Sequence, residues 1–250
     1  MSSTSPEIQQ HTFTTFKEFE EHFEYKGDRL YSMIFERNKD KIKVSKEKFA
    51  IRNLQKIFNA TFLISPKIGF HAMSLRDLSA ETGLSMGGLY SSISSKDAIA
   101  IIVKDVVAFI CEDIVEESRE QEDPMEALRV LVKGYLYAST IMQAWFNFLY
   151  FETKCLPQID QEESKNLELA QVGELDKLIS KLSPDLQACH KSGFVATMAL
   201  SMIQERYLKP WKYHNAEQTV DEYADSCLQL IYRAACLEEV SPCKTVIAEV

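Results

Sequence analysis

Apolar residues recur every three to four positions along most of this chain, and no series of evenly spaced alternating segments interrupts them. That period places the apolar residues on one stripe of a helix, whereas a half-buried strand needs a period of two. Residues that break helices are scarce, with eight glycines and seven prolines among 250 residues. The pattern predicts an all-α protein, long enough for one large domain or two modest ones.

Residues 1–13 are polar and are expected to be disordered. In "TTFKEFEEHFEY", Thr15 and Glu18 have capping-box spacing and Phe16, Phe19 and Phe23 share a face, which predicts a short helix. A second helix is predicted over 28–38, followed by the linker "NKDKIKVS". A longer helix after Ser45 carries Phe49, Leu54, Ile57, Phe58 and Thr61. It is expected to end before Pro66, because a residue preceding proline is steered out of the α region. Short helices are predicted over 75–82, capped by Ser74 with Asp77, and over 86–92, with another from Ser95 to 119. Asp123-Pro124 opens helices over 125–138 and 141–154. The remaining pattern gives helices over 161–182, 185–208 and 218–238.

Charge is unevenly spread. The net charge is −9, but residues 37–104 hold 12 Lys/Arg against 5 Asp/Glu, a balance of +7, which leaves −9 − 7 = −16 for the rest. Such a chain can hold one basic surface against phosphate while the remainder repels it. Eight Lys/Arg and two acidic residues lie between Arg37 and Lys56. This run either extends a nucleic-acid footprint or is a solvated helix face. The six cysteines form no CxxC pair and the five histidines no HExxH spacing, so no metal site and no cofactor are expected. No apolar run approaches the ~18 residues of a membrane span, and "MSSTSPEIQQHTF" lacks the features of a secretion signal, so a cytoplasmic protein is expected.

The stretch "SLRDLSAETGLSMGGLYSSI" carries the function. Leu75 and Leu78 supply the inner face of one helix. Ser79 is small where two helices cross, Gly83 serves the turn, and Leu84 and Leu89 anchor a second helix. This is a helix-turn-helix pattern, which presents its second helix to a DNA major groove. Gly87 and Gly88 cost that helix roughly 1 kcal/mol each relative to alanine. Either they clear the way for DNA to approach the backbone, or they serve packing on the preceding long helix.

Residues 46–104 resemble the DNA-binding domain of TetR-type repressors. The resemblance rests on Gly69-Phe70, the serine before the second helix, the Gly83 turn, "GLY" and "SSKDAI", in the family's order and spacing. It implies an extension over 1–44, a DNA-binding domain over 45–104 and a ligand-binding and dimerisation domain over 105–250. Met86, Ser91, Ser92 and Ile93 depart from the residues usual there, so base preference is not legible. Residues 1–44 are unusual for the family, and either pack on the sensor domain or reach DNA.

By the resemblance, Tyr90 contacts phosphate, and Lys96 does so at the start of its helix. Lys46, Ser74, Arg76, Ser85, Met86, Gly87, Gly88 and Ser91 complete the candidate DNA-binding set. The last two long helices are expected to pair two subunits, with Phe194, Met198, Met202, Leu228, Ile231 and Tyr232 as interface candidates, or else as ordinary intrachain core. The aromatic stretch "GYLYASTIMQAWFNFLYFETKCLP" either fills a core or lines a ligand cavity. The ligand candidates are Tyr135, Met142, Trp145, Phe146, Leu149 and Glu152. "FETKCLP" is similar to a segment of members that sense acyl-CoA, which implies a hydrophobic, fatty acyl effector. The expected partners are thus palindromic double-stranded DNA, a hydrophobic small molecule and a second copy of the chain, with no membrane. A helical enzyme lacks its nucleophile motif, phosphate loop or metal spacing here. A helical adaptor would not need the basic balance of 37–104.

Overall fold

The computed structural model describes residues 13–39, 42–44, 46–155, 157–184, 191–213 and 218–236. They form eleven α-helices and no strand. These are α1 (Phe16–His22), α2 (Gly27–Arg37), α3 (Glu47–Ile68), α4 (Leu75–Thr82), α5 (Met86–Ser92) and α6 (Lys96–Arg119). After them come α7 (Pro124–Ile141), α8 (Gln143–Glu152), α9 (Gln158–Leu182), α10 (Ser192–Leu208) and α11 (Val220–Cys236). The predicted segments 185–190 and 237–238 lie outside the described residues. No helix among the described residues is long and apolar enough to cross a membrane.

Most boundaries follow from local chemistry. Thr15 and Glu18 close a capping box on α1, and Ser74 and Asp77 close one on α4. Asp123 caps α7, and Pro124 takes the first position, where its missing N–H costs nothing. Pro66 is a correction: α3 runs through it to Ile68. A proline there removes one hydrogen bond, and packing of Thr61 and Ser65 in the core outweighs the loss. The helix stops at Gly69, whose φ of 80° favours glycine and whose N–H donates to Ser65 O at 2.8 Å.

Helices α3, α4 and α5 pack together, and α6 leads from them into a bundle of α7, α8, α9, α10 and α11. The expected division at 104/105 falls inside the unbroken α6. Lys104, buried at that point, pairs with Asp160 on α9 at 2.6 Å and with Glu163, joining α6 to α9.

The N-terminal extension touches both halves. Phe13 was expected in a disordered segment, yet it is buried, its ring 4.7 Å from Phe19. Phe16 and Phe19 sit 5.4 and 5.6 Å from the Tyr137 ring of α7. Burying each such ring contributes about 1.5–3 kcal/mol. Lys133 Nζ donates to Thr14 O at 2.8 Å, and the Phe16 N–H donates to Asp221 Oδ1 of α11 at 2.8 Å. Further along, α2 packs on α3, and the Arg37 guanidinium lies 4.3 Å over the Phe109 ring of α6.

Candidate nucleic-acid interface and effector cavity

The turn between α4 and α5 is held by its own residues and by one lysine of α3. Gly83 takes a left-handed φ of 69°, and its N–H donates to Ser79 O at 3.0 Å. Ser79 Oγ donates to Leu84 O at 2.6 Å, across the point where the helices approach. From α3, Lys56 Nζ reaches the Thr82 carbonyl at 3.1 Å, a cation at a helix C-terminus. The two hydrogen bonds from Ser74 to Asp77 hold the Asp77 carboxyl below its usual range.

Ser85 caps α5, its Oγ accepting the Gly88 N–H at 3.1 Å. Leu89 and Ser92 are buried beneath α5, and Asn53 of α3 donates to Ser92 Oγ at 3.0 Å. The opposite side of α5 is open: Tyr90 is 47% exposed, and Ser85, Met86 and Gly87 are also exposed. A Cβ built at Gly87 would meet only Ser85 Oγ, at 4.0 Å. One at Gly88 would meet Ser85 Oγ at 3.4 Å and Leu84 Cβ at 3.7 Å, which is ordinary contact. Packing on α3 therefore does not require either glycine. Arg76 is exposed on α4, and Lys46 is exposed beside the start of α3. The hydroxyl of Ser74 is used by its capping box, and that of Ser91 by the Gly88 carbonyl.

Lys96 departs from its expected place. Its ammonium donates to the carbonyls of Phe70, His71 and Met73 at 3.1, 2.8 and 3.0 Å. All three protons hold the α3–α4 loop, so in this structure the ammonium is taken up by its own chain.

The basic run between Arg37 and Lys56 divides. Arg37 lies on Phe109, Lys39 pairs with Glu36, and Lys56 caps α4. Lys41 lies outside the described residues. The N–H groups of Lys43 and Val44 donate to Ser91 O at 2.8 and 3.2 Å, which pins the linker to the end of α5. Lys43, Lys46, Lys48 and Arg52 are exposed on this flank.

A cavity of about 870 Å³, open mouth included, lies among α6, α7, α8, α9 and α10. Of the six candidates, Tyr135, Phe146 and Leu149 line it; Met142, Trp145 and Glu152 do not. The reason is angular, because α8 turns two faces to two neighbours. Phe146, Leu149 and Tyr150 face the cavity. Trp145 stacks on Phe58 of α3 at 4.8 Å and meets Phe62 at 5.0 Å, while Phe148 meets Phe70 at 5.0 Å. Glu152 lines a separate groove against Pro66 and Gly69, and Met142 is buried at the break between α7 and α8. Sequence reading missed the other walls: Val107 and Cys111 from α6, Gln171 from α9, Ile203, Gln204 and Tyr207 from α10. No local pattern marks them, since they converge from three helices. Burial pushes the Cys111 thiol up to about 12 and raises the Tyr135 and Tyr207 hydroxyls further above their usual range.

On α10 and α11 an apolar surface is exposed: Phe194 at 68%, Met198 at 42%, Leu230 at 57% and Tyr232 at 49%. Met202 and Leu228 are half-buried. Ile231 is a correction, since it points into the intrachain core at 2% exposure. Leu230 was missed because it lies off the stripe that packs α11 on its own chain.

No family model matches the sequence, and no curated protein matches it either. Solved structures do. The TetR family transcriptional regulator PfmR from Thermus thermophilus is similar at a TM-score of 0.59 and 20% identity, over 71% of this chain and 97% of that one. AibR in complex with isovaleryl coenzyme A and operator DNA gives 0.60 and 16%, over 72% and 98%. FadR from Bacillus subtilis in complex with stearoyl-CoA gives 0.52 and 14%, over 71% and 97%. This is the TetR fold. In it, α4 and α5 form the helix-turn-helix. The neighbours are covered almost whole, while more than a quarter of the present chain, 100 − 71 = 29% against PfmR, extends beyond the TetR match.

Proposed function

We propose that this protein is a ligand-responsive transcriptional regulator that binds palindromic DNA as a homodimer, most simply as a repressor released by a hydrophobic small molecule. One observation carries the reading: α5 faces outward with two consecutive glycines that nothing inside the protein requires. A helix with glycines beside Met86 and Tyr90 on its open side lets a duplex approach its backbone there. Tyr90 and Arg76 stand beside that face, and the flank of Lys43, Lys46, Lys48 and Arg52 adds phosphate contacts. The exposed apolar surface of α10 and α11 supports pairing of two copies. Such a pair would set two α5 helices about one DNA turn apart, ~34–36 Å.

The cavity supports the effector half of the reading. Its neighbours in fold include chains bound to isovaleryl coenzyme A and stearoyl-CoA, and an acyl compound suits the apolar walls here. Helix α8 has the cavity on one face and the Trp145–Phe58 stack on the other. An effector that favours a shifted α8 therefore favours a shifted α3, and with it a different spacing of the reading heads. Reciprocity then requires DNA to weaken effector binding by the same factor.

Selection from random duplexes tests the reading. A palindrome should be enriched, and an acyl compound should release it. Recovery of no preferred sequence would overturn the proposal.

A further inference from the structure

One wall of the cavity carries a polar atom left unused. Tyr135 is 3% exposed and lines the cavity, yet its hydroxyl is buried without a hydrogen-bond partner. Among the described residues, three other buried side-chain atoms share that state, on Asn147, Asp176 and Arg206, and none of these residues lines this cavity. A buried hydroxyl left unpaired costs about 1–3 kcal/mol, which a ligand group can recover by accepting its proton.

The surroundings define that group. Cys111 and Ser139 share the cavity walls with Tyr135, and both are neutral. The Cys111 thiol is held protonated by burial, with Gln171 Nε2 3.0 Å from its sulfur, and Ser139 Oγ donates to Leu136 O at 3.0 Å. Glu174, Glu112 and Arg119 are among the charged groups that act on Tyr135. The two carboxylates already hold the guanidinium, at 2.8 and 3.2 Å. Lys165, at the cavity's α9 wall, pairs with Glu162 at 2.7 Å, and Glu168 accepts from Gln204 at 3.2 Å. Among the described residues that line the cavity the one cation, Lys165, is already paired, and burying a carboxylate at Tyr135 without a cation of its own is costly.

We infer that the effector presents a neutral acceptor, an ester, thioester or amide carbonyl, to the Tyr135 hydroxyl, and that Tyr135 selects such compounds over free carboxylates. This rests on the cavity being the effector site. The apolar walls of Val107, Phe146, Leu149 and Ile203 take the hydrocarbon chain.

Calorimetric titration of the full-length protein with three eight-carbon acyl or alkyl probes tests it. At pH 7.5 methyl octanoate should bind at least tenfold tighter than octanoate. Tyr135→Phe should weaken methyl octanoate by about three- to tenfold, the worth of one neutral hydrogen bond. It should leave 1-chlorooctane within twofold. Equal affinities for ester and carboxylate, or an ester affinity unchanged by Y135F, would overturn the inference while leaving the cavity as a binding site. Failure of every probe to bind the wild type would remove the cavity reading as well. The unliganded variant supplies a second check. Removing a hydroxyl without a partner should leave the thermal midpoint equal or higher, and a lower midpoint would show that the hydroxyl already has a partner, which also overturns the inference.

Discussion

The helix-turn-helix and the cavity are built by opposite means. From Ser74 to Ser95 each turn carries a hydrogen bond between residues within five positions of one another, with Lys56 and Asn53 of α3 adding support from outside: Ser74 with Asp77, Ser79 with Leu84, Ser85 with Gly88, Ser95 with Ala98. The cavity has no such local logic. Its walls come from five helices, and neighbouring residues of α8 face different partners. Two carboxylates show the same contrast. Asp77 is lowered by a serine three residues away, whereas Glu117 on α6 is raised to about 7 by burial, then by Asp113 and Glu120. The open face of α5 is thus shaped largely by local contacts, and the cavity exists only after assembly.

The sharpest way to break that contrast is to cut the link between the two regions. Trp145→Ala removes the ring stacked on Phe58 and should cost about 3–5 kcal/mol in denaturant unfolding. A cost near zero would show that α8 is not seated on α3. Gly83→Val tests how local the helix-turn-helix is. The left-handed φ of 69° should cost about 1–2 kcal/mol and lower the α4–α5 protection against hydrogen exchange first.

Gly87→Ala separates folding from recognition. With only Ser85 Oγ in reach of the added methyl, the free protein should gain up to about 1 kcal/mol in helix propensity. Operator affinity should nevertheless fall, roughly tenfold by filter binding. Loss of stability instead would mean that α5 packs on something within its own chain.

The smallest effect expected is that of Glu117→Gln. A carboxyl raised from 4.5 to about 7 binds its proton more tightly when folded, so the wild type loses stability as pH rises from about 4.5 to 7. The glutamine variant escapes that loss. It should match the wild type near pH 4.5 and exceed it at pH 8 by about 1 kcal/mol, solvent screening of this half-buried group being included. An equal difference at both pH values would mean that the carboxyl is not shifted.

The helices, their caps and the helix-turn-helix were legible in the sequence because they depend on neighbours a few residues apart. Capping boxes at Thr15 and Ser74, the Gly83 turn and the buried Leu78 and Leu89 are all local devices. Tyr135, Phe146 and Leu149 stood among six candidates, since an aromatic stripe at helical spacing is visible without coordinates, but the stripe left core and cavity open. Tertiary structure alone decided which aromatic met the cavity and which met α3, because rotation of α8 is set by packing on both sides. It also decided that Lys96 ties a loop, that Ile231 turns inward, and that the extension from Phe13 joins both halves. Those outcomes depend on atoms far apart in the chain, whose meeting no local period encodes.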